Sequence, residues 1–247
     1  MRIDKTKCAG CGQCAEYCTL GNISLARRDE RSGRVYYEIN EDECVDCGVC
    51  LRAKVCPADA LYMPEYDWPR TLRANFSDPL VEHPQTKVPG RGTEEMKTNE
   101  VTGRIKRGYV GIACEMGRPA VGARFYDIEK VAMALAKLGV EFEPDNPCTG
   151  LMADRRTGRF KPEVLNEKVL SAIIEMIVPI GQAEAVLSTI REVAAEVDCV
   201  FSVDLITRFN PDGSIPVTPI LEKLNWPVPP NGKVNNGLGR PLAEEVQ

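Results

Sequence analysis

The pattern of apolar and polar positions is clearest between residues 109 and 208. Tyr109 to Met116 is apolar enough for a buried strand. Ile128, Val131, Ala132, Leu135 and Leu138 then recur on one face of a helix. Asp127 is placed to cap that helix, and Gly139 marks its end. Val140-Glu141-Phe142 reads as a short strand ending before Pro144, and the isoleucine-rich run Leu170 to Val178 as another. Between Gln182 and Val197 a second helix aligns Val186, Leu187, Ile190, Val193, Ala194 and Val197. Phe201, Val203 and Leu205 alternate with Ser202 and Asp204, so a last strand is expected near Val200 to Arg208. The order over residues 108–209 is strand, helix, strand, strand, helix, strand, a βαββαβ arrangement of the α+β class.

Elsewhere the periodicity fades. Residues 66–107 carry Pro69, Pro79, Pro84, Pro89, Gly90, Gly92 and Gly103 among charges, which predicts a long irregular connector. Trp68, Leu72, Phe76 and Leu80 are its candidate anchors. Gly90-Arg91-Gly92 has no following helix pattern and reads as a plain turn. His83, the one histidine of the chain, falls in this connector, reads as solvated and is given no role. Residues 210–247 hold the turn Pro211-Asp212-Gly213 and many prolines and glycines from Trp226 onward, so an extended tail is expected, lying along a partner or a second copy.

The N-terminal 65 residues form a different kind of domain, defined by cysteine. The chain has eleven cysteines in 247 residues. Eight lie before residue 57, in two similar runs: Cys8-Ala9-Gly10-Cys11-Gly12-Gln13-Cys14 with Cys18 beyond, and Cys44-Val45-Asp46-Cys47-Gly48-Val49-Cys50 with Cys56-Pro57 beyond. Ile3-Asp4 precedes the first as Ile39-Asn40 precedes the second. Asn22-Ile23-Ser24-Leu25 and Ala58-Asp59-Ala60-Leu61 follow them, so the region is an internal duplication. Three cysteines at two-residue gaps wrap one turn of chain around a small inorganic core, and a fourth must arrive from elsewhere. The glycine within each motif permits the tight bend. Zinc is the alternative, but structural zinc commonly takes two separated pairs of ligands. Between the runs, Arg31-Ser32-Gly33-Arg34 signals a turn with Val35-Tyr36-Tyr37 as a strand behind it, a solvated hairpin.

On these residues, roughly 1–63, the sequence resembles the bacterial-type two-cluster ferredoxins. The resemblance implies two [4Fe–4S] clusters. It also implies crossed ligation: Cys8, Cys11, Cys14 and Cys56 for cluster one, and Cys44, Cys47, Cys50 and Cys18 for cluster two. Two features depart from it. Thr19 follows Cys18 where proline is usual, and five residues, Leu51 to Val55, separate Cys50 from Cys56 where three are usual, so this stretch is expected to loop out. Residues 108–209, in topology only, resemble a ferredoxin-like plait of the kind seen in ACT-like regulatory domains.

Composition narrows the function. With 43% hydrophobic and 27% charged residues, a normal core is expected without disulfides. A net charge of −5 disfavours binding nucleic acid by charge, and no apolar run is long enough to span a bilayer. Cysteine ligands begin a few residues after Met1, which leaves no room for a signal peptide and predicts a cytoplasmic protein. No strand-bound G-x-G-x-x-G, P-loop or histidine acid–base pair is present, so no catalytic residue is assigned. The expectation is an electron-transfer subunit bound to a catalytic redox partner, in an anaerobic or oxygen-shielded setting. Homo-oligomers remain open. The alternative is a redox- or ligand-sensing regulator whose plait binds an effector, and a self-contained reductase is a third reading. Two lesser sites are expected. Cys114, Cys148 and Cys199 fall near one sheet edge and would form a third metal site with a ligand from a partner; three unrelated apolar thiols are the bland alternative. The stretch from Glu115-Met116-Gly117-Arg118-Pro119 to Arg124 opens toward the first helix, where Arg118 and Arg124 would hold an anion; a structural turn is the bland alternative.

Overall fold

The cysteine-rich segment folds as two interlocked halves. Its elements are β1 (Arg2–Ile3), β2 (Ile23–Leu25), β3 (Tyr37–Ile39), helix α1 (Val49–Arg52) and β4 (Leu61–Tyr62). β1 pairs antiparallel with β4, Ile3 opposite Leu61, and β2 with β3, Ile23 opposite Ile39. The opening strand of each half therefore pairs with the closing strand of the other. Met1, Ile3, Ile23, Ala60 and Leu61 form a small apolar core with the cysteines. The computed structural model describes residues 1–26, 33–87, 89, 103–118 and 121–229. Arg31 and Ser32 of the expected hairpin turn, the Gly90-Arg91-Gly92 turn, Pro119 and the tail beyond residue 229 lie outside the described residues.

The stretch from Leu51 to Val55 does not loop out. Leu51 and Arg52 continue α1, Lys54 takes a left-handed turn (φ 52°), and Leu51 and Val55 pack on the small core. The connector is not irregular throughout either. It contains α2 (Thr71–Ser77), whose Leu72 and Phe76, one turn apart, are buried in the large core of the second region. Phe76 meets the ring of Phe125 edge-on, centroids 5.5 Å apart, and that of His83 at 5.1 Å. His83 is thus buried rather than solvated. Burial lowers its pKa, and its Nδ1 accepts the Gln85 N–H (3.2 Å).

The second region comprises β5 (Tyr109–Met116), β6 (Ala123–Arg124), α3 (Phe125–Ala136), β7 (Glu141–Phe142), α4 (Pro147–Gly150), β8 (Met152–Asp154), β9 (Arg159–Phe160), β10 (Lys168–Val169), β11 (Ala172–Pro179), α5 (Ala183–Val193), β12 (Phe201–Ile206) and α6 (Thr218–Lys223). Its main sheet has the order β12-β5-β11-β7, every neighbour antiparallel. β11 runs along all of β5, from Ala172 opposite Met116 to Pro179 opposite Tyr109. Val110, Ile112, Cys114 and Met116 on β5 and Ala172, Ile174, Met176 and Val178 on β11 alternate along their strands and point into the large core. Ile128, Val131, Ala132 and Leu135 of α3 and Val186, Ile190 and Val193 of α5 enter the same core.

Several boundaries differ from expectation for local reasons. Asp127 does not cap α3. The residue before the helix is Arg124, which makes no side-chain cap, and Asp127 sits buried in the first turn, ion-paired with Lys130 Nζ at 2.9 Å. An acid there still favours the positive end of the helix. β11 begins at Ala172 because the Leu170 N–H donates to Ser77 Oγ (2.8 Å) rather than to the sheet. α5 ends at Val193 and tightens into a 3₁₀ turn through Glu196. Between β7 and β11 the chain makes an unanticipated excursion through α4, the β8–β9 hairpin and β10, which pairs with β6. The tail opens with a helix, α6, and the Trp226 beyond it lies under the Arg191 guanidinium (4.7 Å). No helix among the described residues is long and apolar enough to cross a membrane.

Candidate metal centre

The duplication is visible in the backbone around the cysteines. The Cys8 N–H donates to Asp4 O (3.0 Å) and the Cys44 N–H to Asn40 O (2.9 Å). Gly10 and Gly12 take left-handed φ values of 71° and 75°, and the same positions of the second run are Asp46 at 54° and Gly48 at 70°. The distal cysteines match as well. The Asn22 N–H donates to Cys18 Sγ and the Ala60 N–H to Cys56 Sγ, both at 3.2 Å. Asn22 is therefore the counterpart of Ala60, and Ile23 of Leu61. The flanks align two residues later than their sequence similarity suggests.

The thiols gather in two sets. Cys8, Cys11, Cys14 and Cys56 line one cavity with Ile3 and Tyr37. Burial pushes the Cys14 thiol up, and the nearby Cys56, Cys8 and Cys11 push it the same way. Burial pushes Cys50 up to about 12, reinforced by Cys47, Cys44 and Cys18 and, more weakly, by Cys14 of the first set. Each set joins three cysteines of one run to the distal cysteine of the other. Among the described residues no three His, Cys, Asp or Glu side chains are drawn up for a single metal ion. The backbone N–H groups at Cys18 and Cys56 are joined by that of Tyr37, which donates to Cys8 Sγ (3.5 Å). Four thiols around a shared space, apolar walls and amide donors aimed at sulfur fit a [4Fe–4S] group. A cysteine binds iron as the thiolate, so loading iron releases protons.

The bend at Gly10 is tested by substitution. A Cβ there would stand 2.6 Å from the Val35 carbonyl oxygen, whereas one at Gly21, also left-handed (φ 64°), would meet nothing within 4 Å. Gly21→Ala should cost only the backbone penalty of about 1 kcal/mol. Gly10→Ala should add a backbone clash, lowering iron content and unfolding midpoint well below those of Gly21→Ala. Equal behaviour of the two variants in iron assay and thermal melts would refute the close approach.

The second run is gripped from outside the motif. Arg70 Nε donates to Asp46 Oδ2 (2.8 Å) and its Nη1 to Glu41 O (2.6 Å). Arg73, buried in α2, donates to the carbonyls of Asp42 (2.5 Å) and Cys44 (2.8 Å) and pairs with Glu167. Arg124 of β6 and Lys168 of β10 both pair with Glu43. Arg52 holds Asp78 (2.8 Å) and the Cys47 carbonyl (2.6 Å). Of these residues the sequence singled out Arg124, for an anion, and left the others unassigned. The only hint was Arg70 and Arg73 lying one helical turn apart beside the candidate anchor Leu72.

The lesser candidates behave otherwise. Cys114 on β5 and Cys148 in α4 are wholly buried in the large core, and Cys199 packs partly against it. Burial pushes Cys114 up to about 12, Cys199 up to about 11, and Cys148 up as well, and none of the three feels another cysteine. They do not converge as a group. Arg118 pairs with Glu115 (2.6 Å) and also donates to Ser171 Oγ, while Arg124 serves Asp42 and Glu43. An anion at either guanidinium would have to displace a carboxylate.

Residues 7–60 match the family model of the 4Fe-4S dicluster domain. Neither a curated protein nor a solved structure matches the chain. The cysteine-rich N-terminus is thus a ferredoxin-type segment within a chain that continues far beyond it.

Proposed function

We propose that this chain is an electron-transfer subunit of a larger oxidoreductase complex. It relays single electrons between an external donor or acceptor and a catalytic partner. The observation that carries this reading is the cavity that brings Cys56 of the second run to Cys8, Cys11 and Cys14 of the first, within a segment that matches a 4Fe-4S dicluster domain. Cys8, Cys11, Cys14 and Cys56 would hold one [4Fe–4S] cluster, and Cys44, Cys47, Cys50 and Cys18 the second. Such clusters supply reversible one-electron chemistry when bound. The chain's own part is to hold thiolates at fixed positions, aim amide donors at them and exclude water with Ile3, Ile23 and Leu61. Cys11 is exposed, so the first set lies open to an outside partner, while Cys18, Cys44 and Cys47 of the second are half-buried and Cys50 is buried. The strand order β12-β5-β11-β7 and the interleaved helices α3 and α5 support reading residues 108–209 as a βαββαβ plait, the platform by which the subunit joins its complex.

Anaerobic isolation from the native cell under a mild tag tests this. Expected are a stoichiometric redox partner and about eight irons per chain, the content of two four-iron clusters. A chain that carries this iron but purifies alone would overturn the subunit role. A chain without iron would overturn the reading entirely.

A further inference from the structure

We infer that Arg34 and Arg73 are matched positioning residues, one for each cysteine run. This rests on the proposal that both runs hold clusters. In the first half Arg34 Nη2 donates to Thr6 O (2.7 Å) and Cys8 O (3.0 Å). In the second half Arg73 Nη1 donates to Asp42 O (2.5 Å) and Cys44 O (2.8 Å). Thr6 precedes Cys8 by two residues, as Asp42 precedes Cys44. The same two carbonyls are gripped in each repeat by an arginine outside the motif, with a second, longer bond from Arg70 Nη2 to Cys44 O (3.3 Å) in the second repeat. The arginines themselves are not duplicated in sequence. Arg34 stands between the two runs, and Arg73 lies in α2, outside residues 7–60. One geometry has thus been supplied twice from unrelated places, which points to a requirement of the loop that delivers the first ligand of each run.

The two grips differ in setting. Arg34 is exposed, so water and salt screen its charge. Arg73 is 3% exposed, adds a third bond to Glu41 O (3.3 Å) and pairs with Glu167 next to β10. Its guanidinium is a buried cation on the backbone of Cys44, and a buried charge acts at greater strength than a solvated one. It favours added negative charge on the second run's thiolates. Removing it also leaves the Glu167 carboxylate unopposed, which acts with the same sign. Arg73 therefore both shapes the second loop and raises the potential at which that site accepts an electron. Arg34 does only the first.

The test uses the intact, iron-loaded chain. Wild type, Arg73→Met, Arg73→Lys and Arg34→Met are compared by iron release to a chelator and by anaerobic redox titration followed by electron paramagnetic resonance. Signals are assigned with Cys14→Ala and Cys50→Ala. Arg73→Met should release iron from the second site faster, in line with the roughly ten- to a hundredfold loss of metal affinity that follows loss of a group that orients a ligand. Its second potential should turn more negative while the first stays put. Arg73→Lys keeps the charge but not the fork, so release should quicken with a smaller change of potential. Arg34→Met should quicken release from the first site with little change in either potential. The inference is overturned if Arg73→Met keeps wild-type release and potentials, or if Arg73→Met and Arg34→Met disturb both sites alike. Wild-type protein without two four-iron clusters would overturn the parent proposal and this one with it.

Discussion

Cys56→Ala is expected to strip the site built on the first cysteine run and to leave the second standing. In the chain Cys56 belongs to the second run, six positions after Cys50. In space it lines the cavity of Cys8, Cys11 and Cys14, and its thiol is the first neighbour felt by Cys14 after burial. Losing one of four thiolates should cost a four-iron cluster, about four of the eight irons two such clusters hold, or leave a three-iron remnant at that site. The sharper readout is non-additivity. A site cannot be emptied twice, so Cys14→Ala/Cys56→Ala should lose at most the irons of that one site and leave the second signal standing. Cys50→Ala/Cys56→Ala should empty both sites. Anaerobic iron and sulfide assays with paramagnetic resonance on each variant decide it. The opposite pattern, in which Cys56→Ala erases the signal that Cys50→Ala erases, would mean that each run closes on itself.

What could be read in advance follows from how local each constraint is. Cysteine spacing is local, so the two motifs and their distal partners were visible before any fold. Long periodic stretches were visible too. β5, α3 and α5 each bury several side chains on one face, and their apolar spacing shows it. α2 escaped because seven residues present only Leu72 and Phe76 to the core. Its most consequential residue, Arg73, looks like surface in a sequence and is buried among carbonyls. Charge is legible and its burial is not, because burial depends on what packs above it. The same gap hid His83 under Phe76 and placed Arg124 in a supposed anion turn when it binds Glu43. The excursion from α4 to β10 rests on strands of two or three residues, too short for any alternation to register. Even the duplication was aligned two residues off at its flanks. Leu25 resembles Leu61 by identity, yet Ile23 occupies its place in the backbone.

Asp46→Ala is expected to be the most damaging single change outside the cysteines, by about 3–5 kcal/mol, the usual cost of removing one partner of a buried ion pair. Two opposing terms meet at this residue. Its φ of 54° is left-handed, where the first half has Gly10, and a non-glycine residue there costs about 1 kcal/mol or more. Against that, its carboxylate is 1% exposed and accepts from Arg70 Nε (2.8 Å), Arg70 Nη2 (3.3 Å) and the amino nitrogen of Met1. Alanine keeps the strained backbone and loses every bond, leaving the Arg70 guanidinium, itself only 19% exposed, without its counter-charge. Glycine loses the same bonds but relieves the strain, so Asp46→Gly should be milder than Asp46→Ala by about 1 kcal/mol. Asparagine tolerates the left-handed turn and keeps an acceptor for one donor without the charge, which places Asp46→Asn between glycine and wild type. The order of unfolding midpoints for the iron-loaded chain under anaerobic conditions, followed by circular dichroism, should run wild type, Asn, Gly, Ala. If glycine matches or exceeds wild type, the strain outweighs the ion pair, and Asp46 is retained for what it does beside Cys44 and Cys47 rather than for the fold.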